Sequence, residues 1–97
     1  MSELHVVATI PAKPEAVDAL RVALRALVAA SREEEGCLAY DLYESTAAPG
    51  TFVTMERWTS QEALDVHMQS PHIAEALAAA DGQLSGDIAI HPLVPMS

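Results

Sequence analysis

The sequence predicts an α+β fold in which helices cover one side of an antiparallel sheet. Three observations carry this. Residues 3–10, 37–45, 51–58 and 87–94 have strand character, the first two with plain two-residue alternation. Between them lie stretches whose apolar residues recur every three or four positions, as on the buried face of a helix. Pro and Gly punctuate the boundaries, at Pro11, Gly36, Pro49-Gly50, Pro71, Gly82 and Gly86.

The first strand, residues 3–10, sets Leu4, Val6, Ala8 and Ile10 against Glu3, His5, Val7 and Thr9, and Pro11 ends it. Pro14 suits the first turn of a helix. Val17, Leu20, Leu24, Leu27 and Val28 form its apolar stripe, with Asp18, Arg21, Arg25 and Arg32 mainly opposite. Gly36 is the expected stop. The run Glu33-Glu34-Glu35, opposed by the helix dipole, is expected to be a solvated helix end. In the second strand, residues 37–45, Leu38, Tyr40 and Leu42 share a face. Ala48-Pro49-Gly50 fits a type II turn into the third strand, residues 51–58. Thr59 is the expected cap of the next helix, with Glu62 completing a capping box. Ser70 caps a further helix that starts at Pro71 and buries Ile73, Leu77, Ala80 and Leu84. Pro92 in the last strand, residues 87–94, suits a sheet edge.

The resulting order, β-α-β-β-α(α)-β, is the split βαβ pattern of ferredoxin-like domains. A length of 97 residues predicts one domain, 1–97. Such a chain buries only about two-thirds of its unfolded surface, so a lone monomer is expected to be marginal. The uncovered sheet face carries Val7, Ala39, Tyr43, Val53, Met55, Ala89 and Leu93. That is too apolar to leave in water, and a homodimer packed face to face would bury it. His5 and His91 are expected inside that interface.

A net charge of −9 with five scattered basic residues excludes a phosphate-binding stripe, so no nucleic acid is expected. A neutral, partly apolar ligand fits better. Cys37 is the only cysteine, which rules out an internal disulfide or a CxxC motif and leaves a small packing residue. No basic segment followed by an apolar core marks a secretion signal, and no apolar run approaches membrane-spanning length. A cytoplasmic protein without membrane insertion is the expectation. The glycines are dispersed, without G-x-G-x-x-G or a P-loop, so no nucleotide or flavin cofactor is expected.

The stretch from Glu56 to His72 concentrates the chemistry. Glu56 and Trp58 are two apart on a strand, on the face shared by Phe52 and Thr54. On the helix that follows, Leu64, His67 and Met68 fall at i, i+3 and i+4, so the imidazole lies within the apolar stripe. An imidazole titrates near neutrality and can take and return a proton. His67 is therefore either a general base or a core histidine satisfied by a carbonyl or by Glu56. Glu56 either orients His67 or is a paired strand carboxylate. Trp58 and Tyr40 either wall a pocket or fill the core. His67 and His72 are five apart across a helix break, not at the i, i+4 spacing of a helical zinc site, so no metal is expected. His72 is expected at the surface or the pocket rim.

These segments resemble the antibiotic biosynthesis monooxygenase family of dimeric α+β barrels, and most of all its quinol monooxygenase-like branch. The resemblance spans almost the whole chain. It rests on EEGCLAY at 34–40, FVTMERW at 52–58 and EALDVHMQSPH at 62–72. It implies a cofactor-independent monooxygenase that oxidises a hydroquinone or polycyclic phenol with O2. His67 would be the base and Glu56 its orienter, and Trp58, Tyr40, His72 and Phe52 would contact substrate. Relatives in the superfamily also include isomerases of small hydroxylated ketones and proteins with no known activity, so an isomerase and a non-catalytic small-molecule binding barrel are the alternatives. The haem-degrading branch uses an Asn on the first strand beside a Trp and a His. This chain has no Asn, so haem breakdown is not expected.

Overall fold

The computed structural model describes residues 3–97. The elements run β1 (Leu4–Pro11), α1 (Val17–Arg32), β2 (Cys37–Glu44), β3 (Thr51–Trp58), α2 (Gln61–Met68), α3 (Pro71–Ala80) and β4 (Ala89–Leu93). A 3-10 turn, Pro14–Ala16, leads into α1. The sheet order is β2-β3-β1-β4 with every neighbouring pair antiparallel. This is the expected ferredoxin-like α+β fold. Among the described residues no helix is long and apolar enough to cross a membrane.

Alternation decides which side of the sheet is covered. Val6, Ala8 and Ile10 of β1 are buried, as are Phe52, Thr54, Glu56 and Trp58 of β3. Tyr40, Glu56 and Val6 form one row across three strands. A one-residue slip would turn that whole row outward, so the buried face pins the register. Helix α1 lays Leu20, Leu24, Leu27 and Val28 over it. At the end of α1, Arg32 donates from Nε to the Tyr40 carbonyl at 3.0 Å and pairs with Asp41 at 3.0 Å, which ties β2 to the helix. Between β2 and β3, the Thr51 amide donates to the Ala48 carbonyl and Gly50 has φ 88°, as a type II turn with Pro49 requires. Pro92 does lie on an edge strand.

Several expectations need correction. Leu38 is not on the covered face with Tyr40 and Leu42. The β2–β3 register shifts between Cys37 and Ala39, so Leu38 is a bulge residue and is exposed. Gly36 is needed for contact rather than for a left-handed helix stop. A Cβ there would run into the Cβ of Ala63, so glycine lets α2 lie against the start of β2. Leu77 is half-exposed instead of buried. The placement of His5 and His91 needs no correction: both lie on the bare face with the half-exposed Tyr43, Met55 and Leu93.

Candidate active site

Strand β3 supplies the buried end of the site. Glu56 accepts hydrogen bonds from Thr54 Oγ1 at 2.7 Å and Trp58 Nε1 at 2.9 Å, so its carboxylate is satisfied within its own strand. Helix α2 supplies the imidazole. Its cap is Ser60, whose hydroxyl accepts from the Ala63 amide, not Thr59 as expected. The Thr59 amide donates to the Gly36 carbonyl at 2.9 Å, which ties the end of β3 to the start of β2 just before the cap. From there Leu64 and His67 point inward and both are buried. The His67 ring lies 4.5 Å from the Trp58 ring and 5.5 Å from Tyr40, between centroids.

The partner of His67 is Glu34, not Glu56. Nδ1 of His67 lies 2.6 Å from Oε2 of Glu34, and Nε2 of His72 lies 2.7 Å from the same oxygen. Within the glutamate run expected to be solvated, Glu33 and Glu35 are exposed but Glu34 turns inward. One signal could have found it. The inward stripe of α1, Leu24, Leu27 and Ser31, continues by three residues to Glu34. Capping by Ser70 is as expected, its hydroxyl accepting from the Ile73 amide and donating to the His67 carbonyl at 2.6 Å. Ser70 thereby fixes the break that carries His72 round to Glu34.

Beside these groups is a cavity of about 60 Å³ between sheet and helices. Tyr40, Thr54, Glu56 and His67 form its buried end, and most of the remaining wall is aliphatic. Met68, Leu77 and Ile90, which are 38%, 51% and 42% exposed, stand where it meets solvent. Burial, helped by the nearby Glu56 charge, pushes the Tyr40 phenol well up, so it stays a hydrogen-bond donor. Of the expected contact residues, only Tyr40 lines this cavity. Trp58 is buried behind His67, and Phe52 is buried under the Arg21 guanidinium, 5.8 Å from its ring. His72 faces a groove between α1 and α3 with Glu75. Cys37 is a partly buried packing residue, and burial pushes its thiol up.

The family description "Antibiotic biosynthesis monooxygenase" matches residues 4–79. Rv0793 of Mycobacterium tuberculosis is 40% identical over 95 residues, 98% of this chain and 93% of its own. YcnE of Bacillus subtilis is 33% identical over 81 residues, 84% of this chain and 85% of its own. Each carries a provisional monooxygenase name. The solved structure of Rv0793 superposes with a TM-score of 0.90 at 38% identity, covering 99% of this chain and 97% of that one. PA3566 of Pseudomonas aeruginosa gives 0.90 at 34% identity, covering 100% and 97%.

Proposed function

The chain belongs to the antibiotic biosynthesis monooxygenase family, and on that premise we propose that it is a cofactor-independent monooxygenase oxidising a hydroquinone or polycyclic phenol with O2. The supporting observation is the 2.6 Å contact between Glu34 and Nδ1 of His67, a residue that also lines the cavity. A carboxylate there holds the imidazole proton on Nδ1, which leaves the Nε2 lone pair for substrate.

His67 then takes the phenolic proton, and Glu34 steadies the imidazolium. The Tyr40 hydroxyl donates to the phenolate oxygen as charge develops. The electron-rich anion passes an electron to O2. One oxygen atom enters the ring and the other leaves as water, so a hydroquinone plus O2 gives a hydroxyquinone plus water. All the electrons come from the substrate. The aliphatic wall suits a ring with few polar substituents, and the net charge of −9 disfavours a polyanion.

The resting cavity is too small for this substrate. A cavity that binds benzene measures about 150 Å³, so Met68, Leu77 and Ile90 must swing outward on binding. All three are partly free to do so, and Met is the most adaptable apolar side chain. We also take the bare sheet face as the seat of a second copy, since Tyr43, Met55 and Leu93 leave apolar surface there.

The test is oxygen uptake with menadiol by protein stripped of flavin and metal, with autoxidation subtracted. Uptake in proportion to enzyme supports the reading. Conversion of a hydroxyketone under strict anaerobiosis would identify an isomerase instead, and saturable binding without turnover a binding barrel.

A further inference from the structure

Glu34, His67 and His72 come from the segment after α1, the end of α2 and the start of α3. Their three donor atoms nevertheless lie within 4.8 Å of one another. Two imidazoles and a carboxylate are a donor set that zinc and its neighbours accept. With bonds of about 2.0–2.2 Å, adjacent donors in a tetrahedral zinc site stand about 3.3 Å apart. The present separations of 2.6 and 2.7 Å would therefore have to open by roughly 0.6–0.7 Å. Rotation of the Glu34 side chain, which reaches the protein surface, would supply that movement. The two imidazole nitrogens, within 4.8 Å of each other, would have to take up the same spacing by side-chain rotation. The flanking Glu33 and Glu35 and the net charge of −9 favour the approach of a cation.

We propose that Glu34, His67 and His72 form a site for a divalent transition-metal ion of the zinc class, and that the ion switches off the base. The second half rests on the role given to His67 above; the binding site does not. The switch follows from where the single proton of a neutral His67 sits. Without metal the proton is on Nδ1, facing Glu34, and the lone pair is on Nε2. An ion on Nδ1 occupies that nitrogen's lone pair, and the proton moves to Nε2. The ring then presents a donor to the cavity where the base had been. Glu34 is engaged by the ion as well and no longer steadies an imidazolium. His72 rearranges in the same way, with its proton on Nδ1 and the ion on Nε2.

Chelator-treated protein titrated calorimetrically with Zn²⁺ should bind one ion per chain saturably at micromolar concentration. Co²⁺ should give visible d–d absorption of a nitrogen–oxygen site. His72→Gln should weaken Zn²⁺ binding by more than about 100-fold, beyond what loss of an outer-shell partner does, while circular dichroism confirms folding. Glu34→Gln gives an independent second variant. Zn²⁺ should stop menadiol oxidation in step with occupancy, and EDTA should restore it. No saturable binding, or binding unchanged in both folded variants, overturns the site. Full turnover by zinc-saturated protein overturns the switch. If the metal-free protein shows no turnover at all, the monooxygenase reading fails, and calorimetry still decides the site.

Discussion

Replacing Glu34 with Ala isolates the contact on which the proposed chemistry depends. The substitution removes the acceptor 2.6 Å from His67 Nδ1 and leaves that N–H in a buried position. A hydrogen bond to a charged group contributes about 1.5–3 kcal/mol. The imidazolium formed during turnover loses at least that support. At 1.36 kcal/mol per factor of ten, kcat/KM for menadiol should fall by about 10- to 150-fold. Glu34→Gln separates charge from orientation, because the Gln carbonyl can still accept from Nδ1 but carries no charge. Its loss should lie between parent and Glu34→Ala. Oxygen-electrode rates, corrected for autoxidation, measure all three. Should Glu34→Ala turn over as fast as parent while His67→Ala is impaired, the orientation of His67 by Glu34 has no catalytic role.

His67→Ala should lower menadiol turnover by about 10² to 10⁴, the usual span for acid–base catalysis, with fold retained; parental rates would make His67 a core residue. Met55→Asp should convert a dimer to monomer in light scattering, because it places an unpaired charge on the bare sheet face; an unchanged mass would remove that face from the interface. Gly36→Ala should destabilise by about 1–3 kcal/mol through overpacking against Ala63. Thermal melts should show it as about 4–8 °C for each kcal/mol, and an unchanged midpoint would mean that α2 yields freely.

What could be read from the chain was what depends on local pattern. Alternation in β3 put Glu56 and Trp58 on one buried face, and Ser70-Pro71 marked a helix start, because a cap needs only its own neighbours. What depends on pairing was hidden. Leu38 leaves the covered face only because β2 is bulged against β3. Ser60, not Thr59, caps α2, and the Thr59 amide is paired with the Gly36 carbonyl, a partner far away in sequence. Alternation places Glu56 on the buried face toward His67 and so offers it as a partner, whereas its lone pairs go to Thr54 and Trp58. Glu34 sits in a run whose composition suggests solvent, although the turn that closes α1, with the Glu34 amide on the Ser31 carbonyl, brings it inward.

The cavity mouth has one further consequence. Met68, Leu77 and Ile90 line the mouth of the cavity proposed to receive substrate, yet each is more than a third exposed. Substitutions at such positions generally shift stability by no more than about 0.5 kcal/mol. His67 and Tyr40 sit at the other, buried end, among the core side chains. On the proposed function, selection can therefore exchange the mouth residues while the buried end with His67 stays untouched. A library confined to these three positions is the natural place to retune specificity, and it leaves the folding core out of the experiment.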